Sequence, residues 1–267
     1  LELIFDGSIS SFLENANIEL INSNSSFYHN WYKLDEFIRS EFQKLDLPFS
    51  NIWIASKIFN KIPRNSTVNL AILNSLRSWN LFKLDKSIRT FSNVGGFGID
   101  GCMSTAIGGA LAQNDRLHFL VIGDLAFFYD LNSLANRHLP KNIRIILVNN
   151  GGGIEFKNYS HMASNIKINS NDLIAAGGHF NSNTNGESNI CQTEKRASDS
   201  LAKVWCEKLN LKYRSITSKD QFLSNYKELF NEKSLQSIVY ECFTNDWEES
   251  LALKISSSFQ KTNTDKL

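Results

Sequence analysis

Two apolar runs of strand length each lead straight into a small polar turn. Residues 117–122 (LHFLVI) end at Gly123-Asp124, and residues 143–148 (IRIILV) end at Asn149-Asn150-Gly151-Gly152-Gly153. Near-continuous apolar runs are the pattern of strands buried on both faces, and such strands belong to parallel sheets covered by helices. The stretch between them, residues 131–138, has helical spacing, with Asp130 placed to cap it. One helix between two parallel neighbours puts both turns at the same carboxyl edge of the sheet. Small residues just after a strand let the backbone approach a phosphate, and a helix N-terminus attracts one.

The rest of the chain extends the alternation. Residues 52–59 have near-helical spacing, residues 68–73 (VNLAIL) read as a strand ended by Asn74-Ser75-Leu76, and residues 88–91 as another. A glycine turn, residues 95–101, precedes a helix of small residues at 102–111 (CMSTAIGGAL), whose size permits close packing on a sheet. After Gly153 the expected order is a long polar loop (181–200), a helix (197–209), a strand (212–216), a helix (220–230), a strand (237–242) and a closing helix (247–259). The fold class is therefore α/β, a three-layer sandwich with a mostly parallel central sheet. Residues 1–48 read as the end of a preceding domain and a linker, with a short strand at 3–5 and helical spacing at 34–42; residues 49–267 form the main domain. Trp205 and Trp247, on predicted helices, are expected in the core. So is Phe127-Phe128-Tyr129 as packing beside Asp124.

Composition narrows the function. The 267 residues are 42% hydrophobic and 21% charged, with a net charge of +1 and no basic block, so neither a disordered chain nor a broad nucleic-acid-binding face is expected. No apolar run reaches the ~18 residues that cross a bilayer, so no membrane partner is expected. No basic stretch precedes the first apolar residues as in a signal peptide. Four dispersed cysteines without a CxxC fit a reduced, cytoplasmic setting. The abrupt start at Leu1 leads us to expect a piece of a longer protein.

The two turns point to a metal and a diphosphate. Mg²⁺ takes about six oxygens, usually one or two from carboxylates and the rest from phosphates and water. The Asp124 carboxylate, the Asn150 side-chain oxygen and a carbonyl near Gly152 would supply three. A rival reading starts from Gly96-Phe97-Gly98-Ile99-Asp100-Gly101, which is literally GxGxxG after a strand and before a helix, with Asp124 at the end of the next strand. That pattern is the fingerprint of a nicotinamide or flavin dinucleotide domain, in which the acid binds a ribose. It leaves Asn149-Asn150 and the glycines after them unexplained. His118 reads as structural, His138 as a helix-end cation, and His161 as a loop histidine near the metal turn; His179 is undecided.

GD followed at this distance by NN and glycines resembles the thiamine diphosphate motif of the 2-oxoacid decarboxylase and carboligase superfamily. NSL at Asn74–Leu76, SNxGxxGIDGxxSTAxG from Ser92 to Gly108 and GDLxxxYDLNxL from Gly123 to Leu134 resemble the 2-succinyl-5-enolpyruvyl-6-hydroxy-3-cyclohexene-1-carboxylate synthase (MenD) family of menaquinone biosynthesis. The resemblance runs from about Ser50 to Leu253 and covers that family's C-terminal, diphosphate-binding domain. It implies a decarboxylating transferase, a homo-oligomer, with thiamine diphosphate and Mg²⁺ as cofactors. Asp124, Asn150 and the Gly152 carbonyl would hold the metal, and Gly123 and Leu125 would line the diphosphate with their backbone. Ile99, flanked by Gly98 and Asp100, would prop the bent cofactor, and Ser75 would stand near cofactor or substrate. The partners implied are a 2-oxoacid donor, an acceptor, and a pyrimidine-binding domain from a second subunit or an N-terminal region absent from this chain. The activating glutamate would sit on that domain, so no catalytic residue is assigned, and Glu155 reads as a local loop residue. Two positions depart from the family: Trp79 and Val94 stand where the synthases carry arginines for anionic substrate groups, so a diverged acceptor site is expected, with Arg77 as a possible replacement. A non-catalytic relative of the same fold is the remaining alternative.

Overall fold

The computed structural model describes residue 11 and residues 26–165 and 189–264. The chain divides into two units, residues 1–38 and 39–267. Among its described residues the first unit holds most of helix α1 (Ser26–Phe42), where Phe27 packs on Trp31 and Tyr28 on Tyr32 at one-turn spacing. The predicted strand at 3–5 lies outside the described residues.

The second unit is built on six parallel strands, β1 (Thr67–Leu70), β2 (Arg89–Phe91), β3 (His118–Gly123), β4 (Ile143–Asn149), β5 (Lys212–Ile216) and β6 (Ile238–Phe243), in the order β2-β1-β3-β4-β6-β5. Alternation along each strand divides the core into two layers. Phe119 and Val121 of β3, Ile146 and Val148 of β4, and Ile238 and Tyr240 of β6 pack on one face. Leu120 and Ile122, Ile145 and Leu147, and Val239 pack on the other. The first face is covered by helices α2 (Asn51–Ile58), α3 (Asn74–Asn80), α8 (Lys219–Asn225) and α9 (Asp246–Thr264), through Ile54, Trp79, Phe222 and Ala252 among others. The second is covered by α4 (Cys102–Ala112), α5 (Asp124–Tyr129) and α7 (Leu201–Lys208), through Met103, Ala106, Phe127 and Cys206. This is the expected α/β three-layer sandwich. The charge interrupting β4, Arg144, is fully buried and donates to the main-chain carbonyls of Lys141, Ile143, Leu229 and Asn231, which satisfies a guanidinium whose pKa burial pulls down to about 10.

Several local expectations change. Asn74-Ser75-Leu76 does not merely end a strand; it opens α3. The helix expected at residues 131–138 begins instead at Asp124, directly after β3, and residues Leu131–Ala135 form only a short 3-10 turn. Asp130 does not cap that turn, because its carboxylate accepts from the Ser104 backbone N–H at 2.6 Å, tying α4 to it. Within the loop expected at 181–200, Asn189–Ser198 is helix α6, and Ser200 caps α7 by accepting from Lys203 N–H. The helix expected at 220–230 keeps α geometry only to Asn225 and tightens to 3-10 over Tyr226–Phe230. Trp205 and Trp247 are not core residues: they are 37% and 64% exposed. Of the aromatic run, Phe127 is buried while Tyr129 is exposed. The described cysteines, Cys102, Cys206 and Cys242, are free and buried.

Candidate functional site

Strand register brings the two turns together. β3 and β4 pair from His118↔Ile143 to Gly123↔Val148, so Asp124 and Asn149-Asn150 leave the sheet side by side. β1 flanks β3 on its other side, with Leu70 opposite Val121, so residues 71–75 emerge at the same edge. The chain leaves β1 for β2 on one flank and β3 for β4 on the other. The connections therefore part above β1 and β3 and open a crevice, the usual ligand position in an open parallel sheet.

That crevice is a cavity of about 310 Å³. Its walls include Ser75, Ile99, Gly123, Asp124, Leu125, Asn150 and Gly152, seven of the positions singled out in the sequence. Gly98 and Asp100 stand outside it. Asp100 instead lies so close to Gly98 that a Cβ there would meet its Oδ1 at 2.2 Å. Asp124 is 1% exposed and accepts from Gly151 N–H at 2.9 Å. Asn150 Oδ1 accepts from Gly152 N–H at 3.3 Å. Gly151 reaches this position through a φ of +87°, which favours glycine. A Cβ built on Gly123 meets nothing within 4 Å, so the backbone between β3 and α5 borders open space. One carboxylate and one amide oxygen at this edge are hard oxygens, the kind Mg²⁺ takes and soft metals do not. Among the described residues no group of three His, Cys, Asp or Glu side chains gathers to hold a metal without other donors.

Sequence reasoning missed part of the rest of the wall. Leu73, which lines the cavity, has a φ of +65°, a conformation costing a non-glycine residue about 1–3 kcal/mol. Asn51, Ile154 and Phe156 also line it, as do Asn74 of the NSL run and Tyr129 of the aromatic run beside Asp124, both named in the sequence. Asn51 Nδ2 donates to Ser75 Oγ at 3.2 Å, and Asn51 Oδ1 accepts from Trp79 Nε1 at 3.1 Å. Trp79 is thus buried behind the wall and borders a second cavity with Leu70 and Phe82. Val94 is half-exposed and lines neither. Arg77, on α3, forms an ion pair with Glu155, which lines the cavity. The Asn149 side chain turns inward to Glu241 and Arg196.

His118, His138 and His161 do not line the cavity. His161 accepts from Ala163 N–H through Nδ1 and lies edge-on to Phe156. His118 is buried against the Gln113 carbonyl, with burial lowering its pKa. His138 is exposed on Arg137, and His179 lies outside the described residues. The dinucleotide fingerprint is also pulled apart. Its glycines follow β2, an edge strand, while Asp124 follows β3, and β1 runs between them. A ribose-binding acid belongs on the strand adjoining the glycine-bearing one. Among the described residues no helix is long and apolar enough to cross a membrane.

No family model matches the chain. Curated relatives do, and the three that follow share one name. The 2-succinyl-5-enolpyruvyl-6-hydroxy-3-cyclohexene-1-carboxylate synthase of Bacteroides fragilis is 30% identical over 245 residues, which cover 91% of this chain and 39% of the relative. That of Christiangramia forsetii is 31% identical over 206 residues, covering 77% and 32%. That of Flavobacterium psychrophilum is 41% identical over 111 residues, covering 42% and 20%. Over its longer matches the chain spans 32% to 39% of those relatives' length. It is a relative of the 2-succinyl-5-enolpyruvyl-6-hydroxy-3-cyclohexene-1-carboxylate synthases, the family its motifs resemble.

Proposed function

We propose that residues 49–267 are the thiamine-diphosphate- and Mg²⁺-binding domain of a decarboxylase/carboligase similar to these synthases, with residues 1–48 ending a preceding domain. One observation carries the reading: Ser75, Ile99, Gly123, Asp124, Leu125, Asn150 and Gly152, separated widely in sequence, line one cavity at the carboxyl edge of β1, β3 and β4. The kinship with the synthases agrees with it.

Asp124, Asn150 and the Gly152 carbonyl would hold Mg²⁺. The backbone at Gly123 and Leu125, at the start of α5, would face the diphosphate, where main-chain N–H groups and open space above a glycine suit an anion. Ile99 would support the cofactor from its apolar side, with Gly98 and Asp100 shaping the turn beneath it. Bound thiamine diphosphate supplies the chemistry that decarboxylates a 2-oxoacid and passes the remaining fragment to an acceptor. The chain's own residues bind and orient: burial of Asp124 strengthens its hold on a cation, and Ile154 and Phe156 help exclude water. The activating glutamate comes from a pyrimidine-binding domain, on a second subunit or an N-terminal region, and the assembly works as a cytoplasmic homo-oligomer. The departures at Trp79 and Val94 from the synthase pattern argue for a different acceptor.

Calorimetric titration of thiamine diphosphate into the full-length protein with its pyrimidine-binding domain, with and without Mg²⁺, tests the reading. Binding that requires Mg²⁺ and is lost in Asp124→Ala is expected. Metal-independent binding, or binding undiminished in that variant, would remove the central claim.

A further inference from the structure

Glu249 lies in the first turn of α9 and is 3% exposed, with no part in the site just described. Its Oε1 accepts from the Asn51 backbone N–H and from Thr244 Oγ1, both at 2.9 Å, and its Oε2 accepts from Asn74 Nδ2 at 3.2 Å. One carboxylate thus joins the first residue of α2, the turn after β6 and the first residue of α3. Asn51 N–H is one of the donors a helix N-terminus leaves unpaired, and in a buried position it needs an acceptor. Asn51 and Asn74 both line the cavity, and Asn51 also holds Ser75.

We infer that Glu249 is a positioning residue whose protonation state decides which end of the Asn74 amide is turned toward the cavity. An ionised carboxylate only accepts, so Asn74 must face it with nitrogen and turn its oxygen away. Oε1 is committed to two donors, one of them backbone that cannot turn. A proton on Oε2 leaves both Oε1 bonds as they are, whereas a proton on Oε1 would have to turn the Thr244 hydroxyl into an acceptor; we place it on Oε2, which becomes a donor. The Asn74 amide then flips to accept with its oxygen and turns its NH₂ outward. The wall exchanges an acceptor for a donor without movement of the fold.

Burial pushes the carboxyl up to about 7, against the lowering effect of its three hydrogen bonds, so the exchange falls in the neutral range. Other titratable groups on the elements around it are few. On α9 Glu248 raises it further, and Asp246 pairs with Lys157. The Cys242 thiol of β6 is itself pushed up by burial and by Glu241 and Glu249. On α3 and the turn after β4, Arg77 and Glu155 pair with each other.

The inference rests on the proposed cofactor reading only for its second probe. The first is the Asn74 side-chain NH₂ resonance pair of the ¹⁵N-labelled full chain, assigned by its loss in Asn74→Ser, followed from pH 5.5 to 8.5. In the wild type it should shift in a single transition with a midpoint near 7. In Glu249→Gln the amide oxygen keeps the two Oε1 donors, its NH₂ faces Asn74, and the flipped state is fixed. The pair should then stay at the wild-type low-pH position throughout. A pair that remains at the wild-type high-pH position in the variant, or still titrates there, overturns the inference. Should the variant not fold, a wild-type pair that does not move overturns it alone. The second probe is thiamine diphosphate with Mg²⁺ at pH 6 and pH 8, added to the full-length protein with its pyrimidine-binding domain. The wild type and Glu249→Gln should agree at pH 6 and differ about tenfold at pH 8, the worth of one hydrogen bond; agreement at both overturns a role for the flip in binding. If neither protein binds the cofactor at either pH, the cofactor reading fails, and the Asn74 resonances still decide the role of Glu249.

Discussion

Replacing Asn149 by aspartate tests the support beneath the turn after β4. Asn149 closes β4 with its side chain buried: Nδ2 donates to Glu241 Oε1 at 2.7 Å, and Oδ1 accepts from Gly151 N–H at 3.2 Å and from Arg196 at 3.0 Å. Glu241 is fully buried in β6, and its other oxygen accepts from Ser200 Oγ at 2.5 Å and Tyr213 Oη at 2.6 Å. Every hydrogen-bond partner of Glu241 donates, so the network is built for a carboxylate even though burial, and the nearby Asp124 charge, raise its pKa. Asn149→Asp keeps the shape but puts an acceptor against an acceptor. Two carboxylates in such contact cannot both ionise, so one must keep a proton. Holding a carboxyl of ordinary pKa protonated at pH 7 costs about 4 kcal/mol, and the Arg196 guanidinium offsets part of it, leaving roughly 2–4 kcal/mol. Near pH 4.5 the proton is nearly free, and the penalty should fall below about 1 kcal/mol. Urea unfolding of both proteins at pH 7.5 and 4.5 measures the difference. An equal penalty at both values, or less than about 1 kcal/mol at the higher one, would mean that Glu241 already carries a proton at neutral pH.

Two further outcomes follow from the packing. Burial alone would raise the Glu228 carboxyl, but hydrogen bonds from Arg214, Lys212 and Tyr240 outweigh it and bring it down to about 2 from 4.5. Its stabilisation is therefore complete above 4.5 and lost as pH falls through about 2; Glu228→Gln should cost about 1–2 kcal/mol at pH 7, after allowance for the solvent around its partners, and progressively less in acid, as read by thermal unfolding. Trp79→Arg would bury a guanidinium and remove the donor to Asn51 Oδ1, lowering stability by about 3–5 kcal/mol in urea, whereas Val94→Arg on the half-exposed turn should stay within about 0.5 kcal/mol.

The layers of this fold are legible because the strands state their burial. In β3 and β4 almost every residue is apolar, which only a strand covered on both sides tolerates, and alternate residues do divide between the two helical layers. Where local pattern failed, a contact distant in sequence had decided the matter. Asp130 reads as a cap for the residues after it, yet its carboxylate serves Ser104 on α4. Trp205 and Trp247 sit on helices as predicted, but on their outer sides, and nothing in a single tryptophan's neighbours marks which side that is.

The cavity divides along the same line. Gly123, Asp124, Asn150 and Gly152 were legible because backbone approach and hard-oxygen donors restrict a strand end to few residue types. Glu249 was not: an acid in the first turn of a helix reads as an ordinary partner for the helix dipole. Only the folded chain brings it within 2.9 Å of a backbone donor 198 residues away. The positions marked by comparison with the synthases fare differently again. Trp79 holds Asn51 from behind the wall rather than facing the cavity, so a changed residue there acts on the site through Asn51 and Ser75. An arginine restored at Trp79 would therefore report first on folding. Under the proposed function, Val94→Arg alone is the variant that tests acceptor preference without a cost in stability.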